Sequence, residues 1–232
     1  MLGPADWVIW MLGTLFEAAV VVCALRRKAI RRYFFLNLYM LFSVFVSLGR
    51  FQVLLHSGRS SVEYRYFYFY SDALLTIVLY FALISLYLLV FQELHVERYL
   101  RMGAVLLLAG TAWFSYAVVS QSSHRMLTHF AFELSQNLYF VGMVLTYVLW
   151  GAILKLRETR ALLVQLVLSL GVYFSTFAAS YAMSNLRPDL FSHITYLFPI
   201  VACLLPLSWA YGFWRVAEDA RIVPARLAVV PR

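Results

Sequence analysis

Charge is what this sequence has least of. Only 13% of its 232 residues are Asp, Glu, Lys or Arg, against 63% hydrophobic. A soluble domain carries roughly 25% charged residues, with apolar residues near half. A chain this poor in polar surface cannot cover itself in water, so lipid is its expected solvent. Lysine is almost missing. Lys28 and Lys155 are the only two, and both flank apolar runs. That excludes a retinal protein, which needs a Schiff-base lysine in its last span. Cysteine is limited to Cys23 and Cys203, each inside an apolar run, so neither a loop disulfide nor a CxxC metal or redox motif is expected. The first six apolar runs contain no proline, while Pro199 and Pro206 fall in the seventh, where a kink is expected. Seven-helix sugar transporters carry prolines in paired three-helix repeats, and broken helices usually mark transporter sites. The proline distribution and the lack of an internal repeat count against both. GxSxG, HExxH and an ordered Ser-His-Asp set are also missing, so the chain is not expected to be an enzyme.

What is present is a series of apolar runs, at residues 7–25, 33–55, 66–91, 102–120, 129–152, 161–183 and 190–214. Each is long enough to span hydrocarbon as a helix. None alternates as a barrel strand would, and a lone backbone in lipid must satisfy its own hydrogen bonds. The expected fold class is therefore all-α, a seven-transmembrane-helix bundle over residues 1–214. Residues 215–232 form a short cytoplasmic tail, expected to be mobile. The first run is read as a retained helix rather than a signal peptide, because its positive charges follow the apolar stretch.

The net charge of +8 would suggest nucleic acid in a soluble protein. Here the basic residues sit in short loops between spans, which is a topology signal instead. No nucleic-acid partner is expected. The first loop alone holds Arg26, Arg27, Lys28, Arg31 and Arg32. The segments on the same side add Arg98, Arg101, Lys155, Arg157, Arg160, Arg215, Arg221, Arg226 and Arg232. The opposite side has Arg59, Arg65, Arg125 and Arg187. The amino terminus is therefore expected outside and the carboxyl terminus inside.

Ionisable residues within spans are costly, usually face the bundle interior, and pair with one another. Glu17, Arg50, Asp72 and Glu133 qualify. By depth, Arg50, Asp72 and Glu133 share the outer third and Glu17 sits near the middle. Helical spacing groups Ser43, Ser47 and Arg50 on one face, and Asp72, Thr76 and Tyr80 on another. His129, Glu133 and Gln136 share a third, with Asn137 beside them. Turned towards each other, these stripes predict an outward-opening polar pocket in which Arg50 bridges Asp72 and Glu133. Its expected ligand-binding residues are Arg50, Asp72, Glu133, His129, Gln136 and Glu17. The competing reading is polar glue between helices, worth roughly 0.6–2 kcal/mol per group. For Glu17 the competing reading is a glutamic acid hydrogen-bonded to a neighbour such as Ser43. The aromatic stretch Tyr64–Tyr70 ahead of Asp72 reads as an interfacial belt, with a stacking platform as the sharper alternative.

His129 and Glu133 have a spacing that chelates a metal from one helical face, and His193 with Asp72 would complete four ligands. Interfacial histidines in loops explain the same pattern without a metal. Haem is disfavoured, since no histidine lies deep in a span. No cofactor is assigned. Glu97-Arg98-Tyr99 matches the E/DRY triplet of G-protein-coupled receptors, but NPxxY and the outer disulfide cysteines are missing. Solvated loop charge accounts for it better. Gly171, Ser175, Ala179 and Ala182 form a small-residue strip expected to pack closely against another helix.

The segment YFYFYSDALLTIVLYFALISLYLLVFQEL resembles the third span of uncharacterised seven-helix membrane proteins from acidobacteria and related bacteria, with Asp72 where that pattern has Glu. The resemblance covers this one span and its flanks. It implies a bacterial inner membrane and carries no activity. The sequence as a whole reads as a non-enzymatic, ligand-sensing or accessory subunit that signals through a membrane or cytoplasmic protein partner. The alternatives are a small proton- or ion-coupled transporter, and an anchor subunit of a membrane redox complex.

Overall fold

The computed structural model describes residues 4–58, 60–120, 126–186, 189 and 197–222. These form seven α-helices and, among the described residues, no strand. They are α1 (Pro4–Arg26), α2 (Phe34–Ser57), α3 (Val62–Val90), α4 (Glu97–Ser120), α5 (Met126–Lys155), α6 (Ala161–Leu186) and α7 (Leu197–Arg215). Helices α1 to α6 are long and apolar enough to cross a membrane. The shorter α7 has Pro206 in its interior and is not among those six. Of the seventh run expected at 190–214, the first residues lie outside the described residues.

Helix ends follow local chemistry. Helix α3 starts at Val62 rather than at the expected residue 66, because Ser61 caps it by accepting the Tyr64 N–H at 3.0 Å. A side-chain acceptor satisfies one of the otherwise orphaned first-turn donors. The aromatic stretch Tyr64–Tyr70 thereby becomes the first turns of α3. Tyr66 and Tyr70, one turn apart, stack at 6.2 Å on the exposed face.

Six helices close into a ring in the order α1, α2, α3, α5, α6, α7 and back to α1. The main core lines it, with Val20, Leu36, Met40, Leu83, Leu166, Phe174 and Trp209 all essentially inaccessible. Helix α4 stands outside the ring, against α5 and more lightly against α3. Hydropathy alone gives no hint of that position. One face of α4 carries Val105, Leu106, Trp113 and Phe114, each more than half exposed, which is what a lipid-facing helix presents. Its inner attachments are polar: Tyr80 donates to the Ala104 carbonyl at 2.7 Å, and Asn137 donates to Ser115 at 3.0 Å.

Helices α5 and α6 approach most closely through glycine. A β-carbon at Gly171 would lie 2.4 Å from the Trp150 ring, and one at Gly142 would lie 2.3 Å from Phe174. Gly171 of the small-residue strip thus packs against α5, and Ser175 meets Tyr147 of α5 at 3.1 Å. Ala179 of the same strip is exposed.

The end of the bundle opposite Arg50 is laced together. Arg160 grips Glu158 at 2.6 Å and donates to the Leu89 carbonyl at 2.9 Å. Residues after α7 pair backbone to backbone with the α5–α6 connection: Ala161 N–H to Ala220 carbonyl at 3.0 Å, and Ile222 N–H to Thr159 carbonyl at 2.7 Å. Glu218 accepts from Arg32 at 2.7 Å. The tail expected to be mobile is therefore fastened as far as Ile222, and the remaining residues of that tail lie outside the described residues.

Candidate functional site

Arg50 and Asp72 meet across the α2–α3 contact, as their depths and faces predict. Their closest approach, Nη2 to Oδ1, is 4.0 Å, with each side chain 21% exposed. The pair is loose because the guanidinium is held elsewhere. Arg50 Nε and Nη2 both donate to Ser71 Oγ at 3.0 and 2.9 Å, and Nη2 also donates to the Tyr68 carbonyl at 3.2 Å. The guanidinium lies 4.3 Å from the Tyr68 ring centre, within cation–π range. Tyr68 and Ser71, about one turn apart on α3, thus position the arginine.

Asp72 is left with spare acceptor capacity. A carboxylate can accept about four hydrogen bonds, and among the described residues this one takes a single long one, from Tyr181 Oη at 3.5 Å. Ser135 of α5 is within reach of it, but outside hydrogen-bonding geometry. The Ser135 hydroxyl is fully buried and has no partner among the described residues. Aromatic rings wall the space: Phe132 lies 5.4 Å from Tyr181, Tyr139 lies 5.6 Å from Tyr181, and Phe69 lies 6.0 Å from Phe132.

The expected bridge from Arg50 to Glu133 is not made. Glu133 is half-buried and takes part in no ion pair among the described residues. The stripe on α5 splits because its members point to different neighbours. Gln136 accepts from Asn185 of α6 at 3.4 Å, while Asn137 turns to Ser115 of α4. Positions one apart differ by about 100° around a helix, so the two amides cannot share a face. His129 is exposed. No three His, Cys, Asp or Glu side chains converge among the described residues, and His193 of the expected metal set lies outside them.

Glu17 is held as the sequence suggests. Ser43 donates to its Oε1 at 2.6 Å. Its other oxygen, Oε2, is buried and has no hydrogen-bond partner among the described residues.

Sequence reasoning missed the tyrosines. Tyr39, Tyr139 and Tyr173 are each at most 8% exposed. Tyr39 Oη and Tyr173 Oη approach to 3.4 Å. The rings of Tyr139 and Tyr173 lie 6.3 Å apart. The missed signal is a four-residue repeat on α6, Tyr173, Phe177 and Tyr181, which puts two phenols on the face that meets the acids.

Chemically, the site offers one fixed cation, two carboxylates with unfilled acceptor sites, and hydroxyls within an aromatic wall. Such groups bind, orient and exchange protons. No protein-family model, curated protein or solved structure matches this chain.

Proposed function

We propose that this chain is a non-enzymatic multi-pass membrane protein that senses a small polar ligand at the Arg50–Asp72 centre and passes the signal to a protein partner. In this reading all seven helices span a bacterial inner membrane, with the amino terminus outside and the carboxyl terminus in the cytoplasm. The basic residues gathered at the Arg160 end favour that direction. The observation that carries the ligand reading is the unfinished state of Asp72. Among the described residues it combines a loose 4.0 Å ion pair, one long hydrogen bond and a buried serine hydroxyl without a partner. Structural pairs in hydrocarbon are normally satisfied. A pair left open inside aromatic walls suits a ligand that supplies the remaining hydrogen bonds, as most binding sites do with a few convergent polar groups.

The test is a thermal-shift screen of the detergent-purified protein against amino acids, small amines and small carboxylates. Stabilisation by one class, lost in Arg50→Gln and Asp72→Asn, is the expected result. If no class raises the melting temperature of the parent, or the variants respond equally, the ligand reading is wrong. The second reading, a proton- or ion-coupled transporter, draws on Glu17, whose buried Oε2 has no partner among the described residues, a feature of intramembrane proton sites.

A further inference from the structure

A groove of about 370 Å³ runs along the face of α6 that its core residues leave free. Ala161, Leu168 and Val172 lie along its floor, Trp150 of α5 and Ser208 of α7 form its sides, and Ile222 stands at its mouth. Leu168, Val172 and Ile222 are each about half exposed. The sides are fixed by bonds to α6: Trp150 Nε1 donates to the Val167 carbonyl at 3.3 Å, and Gln165 Nε2 donates to the Ser208 carbonyl at 3.0 Å. The groove is therefore preformed, and its lining is mostly apolar.

Its dimensions select the occupant. Ala161 to Val172 covers about 16 Å of helix, close to half the roughly 30 Å of bilayer hydrocarbon. Spread over that length, 370 Å³ gives a mean cross-section of about 23 Å². A helix 10–12 Å across needs roughly 80–110 Å². A partner helix does not fit, and a single hydrocarbon chain does. The mouth adds a charge preference. It opens where the α5–α6 connection pairs with the segment after α7. Glu158 there is bonded to Arg160, and Glu218 to Arg32. Among the described residues of that rim, Arg157 and Arg221 remain against one acid, Asp219. Arg221 adjoins Ile222, is exposed, and makes only a long bond to Thr159 Oγ1 at 3.4 Å among the described residues.

We infer that the groove seats one acyl chain of an anionic phospholipid, whose headgroup phosphate is met by Arg221 with Arg157 in support. Basic sites between spans attract anionic headgroups, and the apolar slot below supplies what a free phosphate would not use. A lipid held there covers the backbone pairing of Ala161 with Ala220 and of Ile222 with Thr159. It would thus help to fasten the segment after α7 against α6. The inference does not depend on the Arg50–Asp72 reading, and it holds whichever side of the bilayer the Arg160 end faces.

The test is native mass spectrometry of the full chain released from detergent, after equal additions of phosphatidylglycerol and phosphatidylcholine with identical acyl chains. The parent should retain one phosphatidylglycerol about fivefold over phosphatidylcholine, the worth of one arginine at an anionic lipid. Arg221→Gln, an exposed change, should bring the two lipids to near parity. Leu168→Trp, which lays a ring across the groove, should lower retention of both. Arg98→Gln, an exposed arginine of α4, should change neither. The water-soluble headgroup alone, glycerophosphoglycerol, should not displace the lipid. Equal retention of both lipids by the parent overturns the inference. So does a preference that survives Arg221→Gln or falls equally with Arg98→Gln, which would assign it to basic charge in general. Undiminished retention in Leu168→Trp, or displacement by the headgroup alone, removes the groove from the site and overturns it as well.

Discussion

The strength of the Arg50–Asp72 pair can be worked out from its geometry. At 4.0 Å and an effective dielectric of about 20, opposite unit charges attract by roughly 4 kcal/mol before desolvation is counted. Each side chain is 21% exposed, so water and headgroups screen part of this, and a net coupling of about 1–2 kcal/mol is expected. The single changes are not equal. Arg50→Gln also removes the bonds to Ser71 and the Tyr68 carbonyl and the contact with the Tyr68 ring. It leaves Asp72 without its cation, so a loss of about 3–5 kcal/mol is expected, as when one partner of a buried pair is removed. Asp72→Asn keeps the guanidinium anchored and should cost less, about 1–2 kcal/mol.

The measurement is a double-mutant cycle on reversible unfolding in mixed micelles. The double variant should be less destabilised than the sum of the singles by about 1–2 kcal/mol. Additivity within about 0.5 kcal/mol would mean that the two charges do not interact. Exchanging the residues, Arg50→Asp with Asp72→Arg, is not expected to rescue. A carboxylate at position 50 would face the Tyr68 carbonyl, where only a donor is welcome.

Three further outcomes are expected. Gly142→Ala and Gly171→Ala should each destabilise by about 1–3 kcal/mol through overpacking, since their new methyl groups would meet Phe174 and Trp150 inside contact distance. Gly110→Ala, with open space around it, should instead be neutral or stabilising by up to about 1 kcal/mol. Equal effects at all three would refute the α5–α6 packing. Hydrogen bonds from Arg160 hold the Glu158 carboxyl below its ordinary value of 4.5. Its contribution to stability is therefore complete above pH 4.5 and is lost as the pH falls through the depressed value. Unfolding from pH 6 down to pH 3 should show that loss in the parent, and Glu158→Gln should flatten it. Reporter tags at the two ends should be read on opposite sides of the membrane, amino terminus outside. Same-side tags would rule out an odd number of spans.

The helices were legible because length and hydropathy are local properties. The run at 66–91 locates α3, and the error at its start comes from one capping serine, Ser61. Arg50 and Asp72 were legible for a related reason: charges of matching depth on neighbouring helices have few other partners. Glu17 with Ser43 followed from the same logic. Glu133 did not, because its neighbours depend on how α5 is rotated, and α5 serves α3, α4 and α6 at once. Depth and periodicity cannot choose among three sides. The position of α4 outside the ring was equally hidden, since a lipid-facing helix and a ring member have similar composition. The tyrosines were missed because a phenol counts as apolar in a hydropathy scan. Its hydroxyl matters only once two of them lie within 3.4 Å.

The two ends of the bundle are built on different terms, and this bears on where the protein can respond. At the Arg160 end, arginines from the α1–α2 and α5–α6 connections reach a backbone carbonyl and carboxylates, one of them in the segment after α7, at 2.6–2.9 Å, and a backbone pairing ties the last segment down. Charge-assisted bonds of that length are the strong ones. At the Arg50 end, the helices are joined by ring contacts of 5.4–6.0 Å and a 4.0 Å ion pair. Such contacts fall off gradually with small displacements, and they can be re-formed in more than one arrangement. A change of charge at Asp72, whether by a ligand or by a proton, therefore acts on the yielding end of a ring whose other end is fixed. Helix tilt about the fixed end is the response that such a frame permits. It would carry α3 and α6, which hold Asp72 and its tyrosine partners, relative to α2, which holds Arg50. A partner that reads this motion would have to grip the helices themselves, since the laced end moves least.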